Sequence, residues 1–278
     1  MPEPLFITDR SLYNEWESKL QNHRPSLLPS DHWRQLQKFK PAPLPERDQV
    51  ASVASVAIEG NTVDLNFFIR SKMGQLKPSS KKKKEIDEID DLIQAYHFAR
   101  NHELTEKNVL KAHNIATKHL LSADRGQYRS STMFVVSDYG IEYAAPEPEK
   151  LQERLTVFWG NVQDLLTEKT INPSLMINRS FYHAAFIHLV LEHLHPFSDG
   201  NGRIGRLIEK WFLASTLGSD AWNMASERYY ADHRQAYYNA LRLGVNFYEL
   251  DYRRSIDFLL LLPKSLANTI KQANNNDE

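Results

Sequence analysis

A single stretch near the middle of the sequence gathers a proton acceptor, a hard oxygen donor, an anion cradle and two guanidinium groups. It reads His195-Pro196-Phe197-Ser198-Asp199-Gly200-Asn201-Gly202-Arg203-Ile204-Gly205-Arg206. Gly200 and Gly202 let a short loop take backbone conformations that other residues resist, turning N–H groups to one side. The loop feeds a helix starting near Gly202, whose free N–H groups and positive dipole end attract phosphate. Arg203 and Arg206 are three apart, on one face of that helix's first turn, where guanidinium groups can fork onto phosphate oxygens. Asp199 is a ligand type suited to Mg²⁺ that also touches nucleotide phosphates. His195 is the one nearby group with an unperturbed pKa near ~6.5, fit for proton transfer. Any one of these features alone fits a plain helix–loop–helix turn. Their combination does not: a string fixing eight positions, each near ~5% of composition, arises by chance about once in 10⁸ chains of this length.

The elements that must position this stretch are helical. The chain has 278 residues, 41% hydrophobic, with only 10 glycines and a formal net charge of -1. Leu, Gln, Glu, Lys and Arg are abundant, which favours helices over sheets. The near-neutral charge offers no global field for nucleic acid, and none is expected as a partner. Cysteine is absent, which excludes disulfides, thiolate metal sites and cysteine nucleophiles and suits a reducing compartment. Met1 to Arg10 lacks a secretory pattern. The most apolar run, Phe258–Leu262, is far short of a ~20-residue span. The expectation is a cytoplasmic protein without a membrane segment.

Short helices with loops are expected over the first forty residues, around Trp16 and Trp33, followed by an extended connector at Pro41, Pro43 and Pro45. A helix is predicted from about Pro45 to Glu59, closed by Gly60-Asn61. Lys77 to Glu85, with its Lys81–Lys84 run, reads as an exposed loop. Apolar residues at a 3–4 spacing predict helices over 85–100, 107–120 (with Thr105 as N-cap), 149–166, 180–194, 202–217, 231–244 and 251–267. The exception is Gly126 to Tyr143, where Met133 to Val136, Tyr139, Ile141 and Tyr143 flank Ser137-Asp138-Tyr139-Gly140. That pattern predicts a β-hairpin. Gln272–Glu278 reads as a frayed polar tail.

The string from His195 to Arg206 resembles the signature of the Fic family, matched at every fixed position. Gly126-x-Tyr128-Arg129 before the hairpin is similar to that family's approach to its flap, and Tyr237-Tyr238-x-x-Leu241 to its adenine-side stretch. The resemblance covers about Ile86 to Leu266. It implies an all-α, Fic-type helical bundle with a small β-hairpin flap. The implied division is an N-terminal helical extension (1–85), a catalytic core (86–267) and a polar tail (268–278). It also implies protein adenylyltransferase activity, moving AMP from ATP onto a Ser, Thr or Tyr hydroxyl of a target protein. His195 would be the base and Asp199 the Mg²⁺ ligand. Gly200, Asn201 and Gly202 would seat the α- and β-phosphates, Arg203 would offset phosphate charge, and Arg206 would grip the γ-phosphate. Phe197 would anchor the loop to the core. The flap would take the target segment by strand addition.

Ser55-x-x-x-Glu59-Gly60 shares one helix face and a helix end, and by itself is a weak pattern. Beside the complete signature it resembles the family's inhibitory motif, in the class where the inhibitory helix lies N-terminal to the core. Glu59 would then pair with Arg206 in place of the γ-phosphate. Three rival readings stand beside this one. His183, His188, His193 and His195 with Glu192 could form a metallohydrolase centre, although no His-Glu-x-x-His pattern is present. The same site could remove AMP from a modified protein or transfer another phosphate-containing moiety. A non-catalytic nucleotide- or partner-binding module is the reading from another class. The target, the oligomeric state and the role of residues 1–40 are not legible.

Overall fold

The computed structural model describes residues 10–38, 43–137, 140–168 and 170–276. It is a helical bundle carrying one two-stranded antiparallel hairpin. In chain order the helices are α1 (Arg10–Asn22), α2 (Pro29–Leu36), α3 (Leu44–Ile58), α4 (Leu65–Lys72), α5 (Ser80–Arg100) and α6 (Glu106–Ala116). The hairpin follows, β1 (Phe134–Ser137) and β2 (Gly140–Ala144). Then come α7 (Pro148–Thr167), α8 (Pro173–Leu194), α9 (Asn201–Leu217), α10 (Ser226–Asp232), α11 (Arg234–Leu241), α12 (Ile256–Leu259) and α13 (Leu261–Asn276). No described helix is long and apolar enough to cross a membrane.

The centre of the bundle is α8 packed along α9. From Ser180 to Leu191 every residue of α8 is buried, so this helix is enclosed on all sides rather than amphipathic. Helix α3 has the same character. Ala51 to Val56 and Ile58 are all buried, Ser52 and Ser55 included, because α5, α9 and α10 pack around it. The N-terminal helices join the same hydrophobic core: Trp16 packs edge-on against Tyr182, and Trp33 against Phe181.

Several elements depart from expectation. The Lys81–Lys84 run is not a loop but the first turn of α5, because the Ser79 hydroxyl caps the helix by accepting from Lys82 N. Thr105 caps α6 as expected, but that helix stops at Ala116. A short helix, α4, fills a stretch the periodicity left unassigned, started by Asp64 accepting from Phe67 N. The predicted helix over 231–244 begins earlier, as α10, and breaks at His233 before α11. The last helix is two pieces. Pro263 has no N–H to give Leu259 O, and the Trp16 indole donates to that carbonyl instead at 3.0 Å. Helix α13 then runs to Asn276, so most of the expected frayed tail is helical. Asp138 and Tyr139 of the hairpin turn and Pro41 of the connector lie outside the described residues.

The hairpin pairs Phe134 with Ala144, Val135 with Tyr143, Val136 with Ile141 and Ser137 with Gly140, with a register shift between Val135 and Val136. On the far side, Ala144 N donates to Val245 O at 3.0 Å, which ties β2 to the body. Val136 and Ile141 stay exposed.

Candidate active site

His195 ends α8 in the left-handed region, at φ 46, while its N–H still bonds Leu191 O. A non-glycine residue there is strained, and the surroundings must enforce it. Arg129 does so from the approach to the hairpin. Its guanidinium donates to His195 O and Pro146 O, both at 2.7 Å, and its own N–H donates to Pro196 O at 2.9 Å. Two carbonyls at the end of α8, those of His195 and, at 3.4 Å, Leu194, thereby meet a cation, which also suits the negative end of the helix.

The loop beyond is stitched from inside. Asn201, buried, accepts from Phe197 N and donates to Phe197 O, each at 2.9 Å. The expectation put the Asn201 amide on phosphate; the structure commits it to closing the loop, with phosphate contact left to backbone. Phe197 is fully buried and stacks on His113 at 3.8 Å, as an anchor should. His113 accepts from Gly126 N at 2.9 Å and is therefore left to donate to Asp199 O, also at 2.9 Å. Burial pushes its pKa down to about 4, in keeping with that neutral tautomer. Gly200 carries φ +83 at the N-cap of α9, and no side chain caps the helix. Its first-turn N–H groups are therefore free for an anion.

These pieces border a cleft of about 500 Å³ lined by Glu59, Glu192, His195, Asp199, Gly202 and Tyr238 among others. Its size suits a nucleotide. His195 Nδ1 lies 3.2 Å from Glu192 O, so it donates there and Nε2 is left unprotonated. Burial lowers the His195 pKa, with the Glu192 carboxylate pulling the other way, so the imidazole is neutral and able to accept a proton. Asp199 is exposed, with Oδ1 accepting from Gly200 N at 2.6 Å. Among the described residues no group of three or more His, Asp or Glu side chains is arranged to hold a metal ion. A cation held by Asp199 would thus keep water and phosphate oxygens as its other ligands, which fits the habits of Mg²⁺.

Glu59 caps the C-terminus of α3 and places its carboxylate on the start of α9. Its Oε1 accepts from Arg206 Nη2 at 2.6 Å, and a Cβ built on Gly202 would lie 2.3 Å from the same oxygen. A side chain on Gly202 would therefore have to displace the Glu59 carboxylate from this position. Ser55, one turn back, accepts from Arg206 Nε at 2.9 Å through its hydroxyl and from Nη2 at 3.0 Å through its carbonyl. The predicted pairing of Ser55 and Glu59 on one helix face is what lets both reach one guanidinium.

The two arginines diverge. Arg206 is buried beneath Glu59, whereas Arg203 turns to α5 and donates to Glu88 Oε2 at 3.2 Å. Arg203 Nε and Nη1 are buried and find no partner among the described residues, which suits a site awaiting phosphate oxygens. The adjacent tyrosines divide as well. Tyr238 borders the cleft, and its hydroxyl donates to Ile58 O at 3.0 Å, holding the end of α3. Tyr237 also lines the cleft but is buried against Arg206, so the expected pair of nucleotide-side tyrosines splits its contacts, one on the arginine and one on the end of α3.

The four histidines proposed as a metal centre are spent separately. His188 faces Glu209 at 2.8 Å and Tyr237 at 3.0 Å, and His193 faces Leu241 O at 2.9 Å and Tyr252 at 3.2 Å. Burial holds the pKa of His183 down to about 3 and that of His193 to about 4. Arg129, His113 and Glu192 are the site residues that sequence reasoning missed as working parts. Arg129 was visible only as part of the approach to the flap, and His113 carried no local signal.

Comparison with known proteins agrees with this geometry. A model of the Fic/DOC family matches residues 103–213. The chain is 27% identical over 214 residues to a protein adenylyltransferase Fic of Nematostella vectensis, covering 74% of this chain and 47% of that protein. It is 30% identical over 167 residues to one of Culex quinquefasciatus, covering 57% of this chain and 30% of that one. The chain thus spans half or less of the length of these relatives. The fold is similar to a crystal structure of a Fic family protein from Desulfovibrio desulfuricans G20, with TM-score 0.67 and 20% identity over 100% of this chain and 76% of that one. It is also similar to a Fic domain containing signaling protein from Bacteroides thetaiotaomicron, with TM-score 0.63 and 21% identity over 96% of each chain.

Proposed function

We propose that this chain, which belongs to the Fic family, is a protein adenylyltransferase that moves AMP from ATP onto a Ser, Thr or Tyr hydroxyl of another protein and is held at rest by Glu59. The observation that carries the reading is the Glu59–Arg206 pair at the first turn of α9. A carboxylate bound by a buried guanidinium at a helix N-terminus stands where a terminal phosphate would bind.

The chemistry follows from groups already described. Neutral His195, with Nε2 free, accepts the proton of the target hydroxyl as that oxygen attacks the α-phosphorus of ATP. The bond to the β-phosphate oxygen breaks and pyrophosphate departs. The N–H groups around Gly200 and Gly202, Arg203 and, once Glu59 has moved, Arg206 hold the phosphate oxygens in line. Such transfer requires chiefly positioning and charge stabilisation. Mg²⁺, bound with ATP, would be held by Asp199 and would offset charge between the phosphates. The outer edge of β1 offers main-chain groups to an extended target segment beside the exposed Val136 and Ile141.

Labelling with ATP carrying ³²P at the α or the γ position tests the proposal. Glu59→Gly should incorporate α-label into protein and no γ-label, and Glu59→Gly/His195→Ala should incorporate neither. Incorporation of γ-label, or of α-label without His195, would refute it.

A further inference from the structure

We propose that Tyr237, His188 and Glu209 form a buried brace that holds the Arg206 guanidinium aimed at the α9 N-terminus, presetting it for a phosphate before Glu59 leaves. The inference rests on the reading that Arg206 receives the terminal phosphate of ATP.

The need for a brace comes from the partners of Arg206. Ser55 Oγ, Ser55 O and Glu59 Oε1 all belong to α3 and its cap. The remaining partner is Tyr237 on α11, whose hydroxyl takes Nη1 at 3.3 Å and whose ring lies 5.9 Å from the guanidinium carbon. When Glu59 leaves, Ser55 and Tyr237 are the hydrogen-bond partners that Arg206 keeps among the described residues, and Tyr237 is the one that holds Nη1 from outside α3. A phenol hydroxyl rotates freely unless its oxygen is tied on a second side, and here it is. Tyr237 Oη lies 3.0 Å from His188 Nε2, and His188 Nδ1 lies 2.8 Å from Glu209 Oε2. Arginine can only donate, so Tyr237 Oη accepts from Arg206. Burial opposes charge on His188, but the carboxylates of Glu209 and Glu192 raise its pKa, and the charged ring donates through Nδ1 to Glu209 and through Nε2 to Tyr237.

The rest of the surroundings hold this order. The Tyr230 hydroxyl donates to Glu209 at 2.9 Å, fixing the far end. Gly205 leaves the imidazole its room, since a Cβ there would come within 2.7 Å of His188 Cδ2. Glu192 Oε1, 3.6 Å from His188 Nε2, is the other charge facing the ring. His188, Arg206 and Glu209 are all at 0% exposure and Tyr237 at 1%, so each member needs its neighbour's hydrogen bond to remain buried. Neither His188 nor Glu209 lines the cleft, and Tyr237 meets it from beside Arg206. The brace makes them positioning residues for the arginine.

Equilibrium binding of ATP and of AMP to the full chain, measured by calorimetry in the Glu59→Gly background, tests this without turnover. Adding Tyr237→Phe removes one hydroxyl and should weaken ATP by about 10-fold while AMP, which lacks the terminal phosphate, stays within about twofold. Tyr96→Phe removes a buried hydroxyl from a different network, its bond to Glu227, and should change neither nucleotide. His188→Gln supplies a second disruption of the same line and should repeat the ATP-selective loss. Equal weakening of ATP and AMP, or no weakening of either, would overturn the brace. Failure of the transfer reading would appear separately, as absence of α-label in the Glu59→Gly parent.

Discussion

Removing the Glu59 carboxylate should raise activity and lower stability together. In the resting chain the carboxylate bonds a guanidinium that is 1% exposed, while Glu59 itself is 33% exposed. Two unit charges ~4 Å apart attract by about 4 kcal/mol at an effective dielectric of 20. Partial hydration of Glu59 and the cost of desolvating Arg206 reduce this to about 1.5–3 kcal/mol, the range for hydrogen bonds to charged groups. Glu59→Gly therefore releases ATP from competition by about 10- to 150-fold. The backbone tolerates the change, because Glu59 sits at a helix cap with φ -83 and ψ 4 rather than inside α3. In the absence of nucleotide, Arg206 keeps only Ser55 and Tyr237, and leaving part of a buried cation unpaired costs about 1–3 kcal/mol. At about 2–4 °C per kcal/mol, Tm falls by several degrees, and saturating ATP restores it. Thermal melts with and without ATP, run beside α-label incorporation, measure both effects. If Glu59→Gly leaves ATP affinity and labelling at wild-type levels, the electrostatic account of inhibition is wrong, whatever happens to Tm.

Three further outcomes follow from the geometry. Tyr238→Phe removes the donor to Ile58 O, worth about 0.5–1.5 kcal/mol, so basal labelling should rise about 2- to 10-fold with Glu59 still in place; unchanged basal labelling would show that Tyr238 does not hold α3. Asn201→Ala breaks both bonds to Phe197 and should abolish labelling even in the Glu59→Gly background, with a loss of about 1–3 kcal/mol in denaturant unfolding. Buried His113 and His193 carry pKa values of about 4 and His183 of about 3, below the unfolded value near ~6.5. The unfolded chain thus binds more protons in that window, and stability falls as pH drops. The loss from pH 7 to 5 is about 2 kcal/mol for each such histidine. A Tm flat between those values would contradict neutral burial of all three.

How much of this was legible depends on how local the information was. The signature from His195 to Arg206 is contiguous, so its proposed base, its proposed cation ligand and its helix start could be named in place. Helices α8 and α9 announced themselves by spacing, and the hairpin by its β-branched and aromatic run. The contact between Glu59 and Arg206 spans 147 residues, and only resemblance could join them. Asn201 could equally have faced phosphate or the loop interior; its two bonds to Phe197 depend on the loop closing. Tyr237 and Tyr238 are adjacent on a helix and point about 100° apart, so both line the cleft but one packs on Arg206 and the other reaches Ile58 O, a choice that tertiary packing makes. The Lys81–Lys84 run signalled solvent, which is true of its charges and not of its backbone once Ser79 caps α5. Leu259 O is left open by Pro263 and taken by Trp16, an exchange between chain ends that no local pattern reveals.

The most direct test of the central claim is mass spectrometry of a cell lysate incubated with ATP and the Glu59→Gly chain. The account predicts an AMP-sized mass gain on Ser, Thr or Tyr of a protein substrate, absent with Glu59→Gly/His195→Ala and weak with the wild type. Loss of AMP from modified proteins, or gain of a different moiety under the same conditions, would contradict it.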